Sequence, residues 1–137
     1  VGSEMCIRDR ALLSFGSDWP GTNAAWYTVD PLQGIYAAVT RQTLDGTPQG
    51  GWFPEERIDV ETALRAYTVN NAWVAGEEDR KGRILPGFLA DLTVLDRDLF
   101  TVAPEELKEV GVRYTIAGGR VVFPPAEPGV GETLPPR

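Results

Sequence analysis

The sequence predicts an α/β fold, and three successive segments of different character support this prediction. Residues 11–17 form a short apolar run with little alternation, which is typical of a parallel strand buried on both faces. Two segments with the apolar spacing of amphipathic helices follow, over residues 30–42 and 59–76. The remaining part, from residue 77, carries short β-strand patterns separated by turn residues. A strand, its helices and a β-rich unit are therefore expected in that order.

The first helix is predicted to begin at Asp30-Pro31, because aspartate is a favoured N-cap and proline suits the first helical turn. Gln33 stands where the third residue of a capping box would stand, and the helix is expected to end near Gln42. Its apolar residues recur at i, i+3, i+4 and i+7 and predict one buried face. They are Leu32, Ile35, Tyr36 and Val39.

The second helix is predicted to begin at Asp59 and to end at Gly76, a residue suited to a left-handed helix terminus. Residues 44–57, between the two helices, contain several glycines and prolines and are interpreted as a loop. The aromatic residues of this loop, Trp52 and Phe53, either line a substrate cleft or anchor the loop.

Short strands are predicted over residues 82–85, 92–95, 112–117 and 120–123. The last two flank Gly118-Gly119, a strong signal for a β-hairpin turn.

Composition excludes several classes of function. The net charge is -7, and the 13 basic residues are scattered among 20 acidic ones, which argues against a nucleic-acid partner. No apolar run is long enough to cross a membrane, so no membrane partner is expected. The single cysteine, Cys6, cannot form an internal disulfide, and the cytoplasm is the expected compartment. Because the chain has no histidine, any metal site must take ligands from elsewhere.

Asp18 is the candidate functional residue. The apolar run ends at a turn rich in glycine and proline, and Asp18 is the carboxylate carried by that turn. Barrel enzymes keep their catalytic groups at this position, after the carboxyl end of a strand. Without further context, such an aspartate most often binds nearby backbone N–H groups in a turn.

Four motifs occur together in a recognisable order. They are Gly16-Ser17-Asp18-Trp19-Pro20, the helix start at Asp30-Pro31, Thr62-Ala63-Leu64-Arg65-Ala66-Tyr67-Thr68, and residues 81–92, which read KGRILPGFLADL. With this combination the chain resembles the metal-dependent amidohydrolases over residues 11–123, and it is most similar to their amidohydrolase 3 branch.

The resemblance implies a division of the chain. Residues 11–76 would be the last strand of a (β/α)8 barrel with its following helices, and residues 77–123 the carboxyl-terminal part of a small β-sandwich. Residues 1–10 are interpreted as an artefactual leader, since they resemble translated adapter sequence. The proline-rich tail, residues 124–137, is predicted to be disordered.

The resemblance also implies a chemistry, hydrolysis of carbon–nitrogen bonds other than peptide bonds. One or two divalent cations, with zinc the expected metal, would activate water, and Asp18 would be both metal ligand and proton shuttle. The histidine ligands would lie elsewhere in a full-length parent, so the chain by itself is expected to be inactive. A small amide-like molecule is the implied substrate, and the resemblance is compatible with a homo-oligomer.

An alternative interpretation is a non-catalytic protein. In that case residues 77–123 act as a β-rich structural or assembly module, and residues 11–76 are only its degraded leader.

Overall fold

The computed structural model describes residues 11–17 and 29–125. The candidate Asp18, the leader 1–10 and most of the tail 124–137 lie outside these ranges. The elements are α1 (Pro31–Thr40), a short 3-10 helix (Pro54–Glu56), α2 (Val60–Tyr67), α3 (Val69–Val74), β1 (Leu92–Leu95), a second 3-10 helix (Pro104–Glu109), β2 (Val112–Ala117) and β3 (Arg120–Phe123). Within the described ranges, no helix has both the length and the apolar character needed to cross a membrane.

Both long helices begin where their caps predict. A carboxylate oxygen of Asp30 accepts a hydrogen bond from the backbone N–H of Leu32 at 2.9 Å. A carboxylate oxygen of Asp59 accepts one from the N–H of Thr62 at 2.7 Å. Helix α1 ends at Thr40, two residues before the predicted end, because Arg41 adopts the left-handed conformation.

The predicted capping box at the start of α1 is wrong in one respect. The side-chain oxygen Oε1 of Gln33 is buried and has no hydrogen-bond partner among the described residues. The Asp30 side chain alone therefore caps this turn within the described part of the chain.

The β-rich part forms a three-stranded antiparallel sheet with the strand order β1-β2-β3. Leu92 pairs with Ile116 across the first ladder, and Ile116 pairs with Val121 across the second. The hairpin between β2 and β3 turns at Gly118 and Gly119, which both have positive φ, as the sequence predicts.

One core joins the helical part to the β-rich part. The buried face of α1 meets residues from α2 and from the segment between β1 and β2, and Tyr36 and Leu107 are its largest fully buried side chains. The buried members are Leu32, Ile35, Tyr36, Ala63, Leu99, Leu107 and Val110. Residues on both sides of position 77 therefore pack into the same apolar cluster.

Two predicted strands are not found. Residues 82–85 form a bend followed by irregular backbone, and Ile84 is 84% exposed. Gly82 has φ +81°, and a Cβ there would lie 3.0 Å from the Thr68 carbonyl oxygen, so close packing on the helices determines this conformation.

Residues 11–17 pair with no strand in the described part of the chain. Their predicted burial on both faces is not met there either, because Leu12 is 49% exposed.

Helices α1 and α2 approach each other closely at Gly34, against Tyr67 of α2. A Cβ at Gly34 would collide with the Tyr67 hydroxyl. We therefore expect Gly34→Ala to lower the unfolding free energy of the complete gene product by about 1–3 kcal/mol, measured by chemical denaturation. In a Tyr67→Phe background the loss should be smaller, because the colliding oxygen is absent; an equal loss in both backgrounds would contradict this packing.

The sheet leaves large apolar side chains exposed, which predicts the behaviour of the 137-residue chain alone. Val121, Val122 and Phe123 of β3 are about half exposed, and Tyr114 of β2 is similar. Uncovered apolar faces and open strand edges favour association, so the isolated chain should aggregate or bind a hydrophobic dye strongly. A soluble monomer with a cooperative thermal transition would contradict this expectation.

Candidate functional site

The structure describes the approach to Asp18, which is residues 11–17, and the helices that hold this segment. The backbone N–H of Phe15 donates to the carbonyl of Ala66, the penultimate residue of α2, at 3.1 Å. Leu13 and Phe15 are half-buried against the helices, while Leu12 and Ser14 face outward. Residues 11–17 therefore run along the α2–α3 pair.

Two asparagine side chains of α3 fix this segment further. The Asn70 amide nitrogen donates to the Leu13 carbonyl at 2.7 Å, and the Asn71 amide nitrogen donates to the Phe15 carbonyl at 2.9 Å. The Ser14 hydroxyl donates to the Asn71 side-chain oxygen. We call these three hydrogen bonds the asparagine clamp.

Sequence reasoning missed both asparagines. A signal was present, since asparagine is a poor residue for a helix interior and two adjacent ones there are a sign of a specific hydrogen-bonding role. Their partners, however, lie 56 and 57 residues away in the sequence.

Tyr67 lies between the candidate segment and α1. Its ring packs edge-on against Phe15, with 5.4 Å between ring centroids. Burial raises the pKa of the Tyr67 phenol above its ordinary value of 10.0, and the negative charge of Asp30 raises that pKa further. The phenol is therefore neutral near pH 7.

The loop between α1 and α2 is anchored by two arginines. Arg41 lies over the Trp52 ring, 5.4 Å from its centroid, and its Nε donates to the Trp52 carbonyl. Arg57 donates to the carbonyls of Thr40 and Gly50. Trp52 and Phe53 pack edge-to-face on each other, and both remain exposed.

The end of this loop lies near the start of the 11–17 segment. Residues 57–59, where the loop ends, line a groove of about 400 Å³ together with residues 11–13. Ile58 and Asp59 therefore lie beside the start of the 11–17 segment.

The donor set in the described ranges does not form a metal centre. No group of three or more His, Cys, Asp or Glu side chains there could hold a metal ion. The chain has carboxylates and no histidine, so Asp18 suits a divalent cation as one oxygen ligand and the chain cannot supply an imidazole.

Asp91 has a structural role. One of its carboxylate oxygens accepts a hydrogen bond from the Gly118 N–H at 2.7 Å, and the adjacent Ala90 carbonyl accepts from the Gly119 N–H at 3.0 Å. Both bonds tie the start of β1 to the turn between β2 and β3.

Comparison with known proteins identifies the family. The sequence model of the Amidohydrolase family matches residues 4–123. The chain belongs to the amidohydrolase family. The match confirms the resemblance that the four motifs indicate, and it spans both the helical and the β-rich part of this amidohydrolase chain.

Several relatives agree. The chain is 38% identical over 92 residues to N-substituted formamide deformylase of Arthrobacter pascens, covering 67% of this chain and 16% of that protein. It is 32% identical over 103 residues to YtcJ of Bacillus subtilis (strain 168), covering 75% of this chain and 20% of that protein. The chain thus spans about a fifth of the length of the curated relatives it matches.

A solved structure is also similar. The crystal structure of an amidohydrolase from Thermotoga maritima MSB8 matches with a TM-score of 0.54 and 26% identity, covering 85% of this chain and 24% of that one.

Helices followed by a three-stranded antiparallel sheet agree with the predicted α/β class. The division at residue 77 and the role of Asp18 stay predictions.

The raised pKa of Tyr67 predicts a pH effect on stability. Because the folded-state pKa is raised, its contribution is fully present below the ordinary pKa of 10.0 and is lost as pH rises through the folded-state value. Chemical denaturation of the complete gene product at about pH 9 and about pH 11 should therefore show a smaller alkaline loss for Tyr67→Phe than for wild type. Equal losses in the two proteins would contradict it.

Proposed function

We propose that this chain is part of a metal-dependent hydrolase that cleaves carbon–nitrogen bonds other than peptide bonds. The observation that carries the proposal is the family match over residues 4–123, which includes the segment leading to Asp18. In this proposal residues 11–76 complete a (β/α)8 barrel, and residues 77–123 contribute to a small β-sandwich.

Asp18 is the residue to which we assign chemistry. A divalent cation bound there, with zinc the expected metal, would lower the pKa of a water molecule to about 7 and would polarise a carbonyl group. The Asp18 carboxylate is one ligand, and it also takes the proton of the attacking water and passes it to the leaving nitrogen. A carboxylate suits both tasks because it stays ionised beside a cation and still accepts a proton transiently. The remaining ligands lie outside this chain, which is inactive alone.

The proposed substrate is a small amide-like molecule. The relative from Arthrobacter pascens carries the name N-substituted formamide deformylase, and a formamide contains a carbon–nitrogen bond of the proposed kind. N-substituted formamides are therefore the first compounds to assay. A cytoplasmic location and a homo-oligomeric state complete the proposal.

The packing argues against an independent β-rich module. Leu99, Leu107 and Val110 share one core with Leu32 and Tyr36 of α1. A module that separates from residues 11–76 would expose these side chains to water. This exposure costs about 25 cal/mol of free energy for each Å² of apolar surface.

The test is Asp18→Asn in the complete gene product. Asparagine keeps the shape of the side chain and removes its charge and its capacity to accept the proton, so kcat should fall by about 10²- to 10⁴-fold. Bound metal, measured by elemental analysis, should also decrease. Chelation should abolish wild-type activity, and added divalent cation should restore it.

The matched control is Asp79→Asn, which removes an exposed carboxylate from the turn after α3. Its kcat and metal content should equal those of the wild type. Near-normal turnover by Asp18→Asn would overturn the assignment, and activity that survives complete removal of metal would overturn the metal-dependent class.

A further inference from the structure

Asp45 and Gly46 form the only Asp-Gly pair in the sequence. An aspartate that precedes glycine isomerises readily, because glycine has no side chain to hinder attack of its backbone nitrogen on the aspartate carboxyl group. Asp45 is exposed on the turn between Thr43 and Thr47. Sequence and exposure alone therefore predict a reactive site.

The isomerisation exchanges bonds within the chain. The backbone nitrogen of Gly46 attacks Cγ of the neutral Asp45 carboxyl group. A carbon–nitrogen bond forms, and one carboxyl oxygen leaves as water with the carboxyl proton and the amide proton, which gives a cyclic succinimide. Water then opens the ring at the former backbone carbonyl of Asp45. The chain afterwards continues through the Asp45 side chain as isoaspartate, with no net change in atoms.

Hydrogen bonds hold the Asp45 carboxylate as an anion. Its Oδ1 accepts from the Thr43 hydroxyl, from the Thr47 hydroxyl at 2.8 Å and from the Thr47 N–H at 3.2 Å. These bonds, that from Thr43 first, hold the pKa of the Asp45 carboxyl below its ordinary value of 3.8. An ionised carboxylate resists the attack, because the reaction needs the carboxyl proton to release water.

The attacking nitrogen is also engaged. The Gly46 N–H donates to the Thr43 carbonyl at 2.8 Å, and the Thr43 N–H donates to the Thr47 carbonyl at 2.8 Å. The Gln42 amide nitrogen adds a bond to the Gly46 carbonyl at 2.9 Å. Attack on Cγ of Asp45 requires the Gly46 amide to lose its proton and to move, and both changes break its bond to Thr43.

We propose that Asp45-Gly46 is a site of isoaspartate formation that the Thr43 and Thr47 hydroxyl groups keep unreactive in the folded protein. The reaction proceeds from the open turn, and its rate is set by the fraction of time that the turn is open. Loss of one threonine hydroxyl raises that fraction and the rate together. The inference involves neither Asp18 nor hydrolytic activity, so its outcome is independent of the proposed function.

The modification would change the whole loop between α1 and α2. Isoaspartate adds a carbon atom to the backbone at position 45, so the bonds between Thr43 and Thr47 cannot persist in their present geometry. The ends of the same loop are joined by two hydrogen bonds, from the Trp52 N–H to the Arg41 carbonyl at 2.8 Å and from the Arg41 Nε to the Trp52 carbonyl at 3.1 Å. The modified turn therefore lies within the loop that presents the exposed Trp52 ring.

The experiment incubates the complete gene product at neutral pH, below its unfolding temperature, and measures isoaspartate by tryptic peptide mapping with electron-transfer fragmentation. Cleavage after Arg41 and Arg57 gives a peptide in which Asp45 is the only aspartate. A synthetic peptide of residues 42–57 supplies the rate of the open chain. We expect the folded wild type to react at least about tenfold more slowly than this peptide. Equal rates would overturn the inference.

Thr47→Val is the test variant, because valine keeps the branched shape of threonine and removes the hydroxyl. Isoaspartate should form about three- to tenfold faster than in the wild type. Thr47→Ser keeps the hydroxyl, and its rate should stay within about twofold of wild type. An unchanged rate in Thr47→Val would overturn the inference, and so would an equal acceleration in both variants, since the hydroxyl would then not be the protecting group.

Thr101→Val is the matched control for a general loss of stability. The Thr101 hydroxyl donates to the Asp98 carbonyl at 3.1 Å in an exposed turn after β1, and this bond involves no residue of the 41–57 loop. The rate at Asp45 should equal that of the wild type, and an acceleration as large as that of Thr47→Val would overturn the inference. Thr43→Val covers the case in which Thr47→Val does not fold. The same acceleration is expected there, and an unchanged rate would contradict the protecting role.

Discussion

Burial of the apolar face of α1 is the interaction on which the rest of the structure depends. Tyr36, at the centre of that face, is almost completely buried, and Leu107 from the segment between β1 and β2 is fully buried in the same cluster. Lys108 adds a polar contact, since its ammonium lies 5.1 Å from the Tyr36 ring centroid and donates to the Leu44 carbonyl. The helical and β-rich parts are thereby fixed to one another.

From that core, contacts extend toward the candidate residue in a continuous series. Helix α1 meets α2 at Gly34 and Tyr67, and the Tyr67 ring meets Phe15. The asparagine clamp then holds the backbone on both sides of Ser14. The position of the 11–17 segment therefore follows from helix packing, with no strand partner among the described residues.

Local chemistry made the helix starts and the hairpin predictable. Asp30 and Asp59 act as caps through hydrogen bonds that span two or three residues, and the Gly118-Gly119 turn likewise depends on its own backbone conformation. The family could also be identified, because its motifs are short and occur in order.

What could not be predicted depends on contacts that are distant in the sequence. The segment at Gly82 packs against the α2–α3 junction, and a local pattern of apolar residues does not report this close approach. The asparagine clamp joins positions more than 50 residues apart. The hydrogen bond between the Asp91 carboxylate and the Gly118 N–H likewise joins residues 27 positions apart. Asp18 lies outside the described residues, and its chemistry stays a prediction.

The hydrogen bonds from Asp91 and Ala90 to the hairpin turn have a consequence for the sheet as a surface. Side chains alternate between the two faces of a strand, so a slip of one residue between β1 and β2 would exchange those faces completely. Two bonds that join the beginning of β1 to Gly118 and Gly119 oppose such a slip. Any segment that later covers this sheet thus meets a single, reproducible arrangement of apolar side chains.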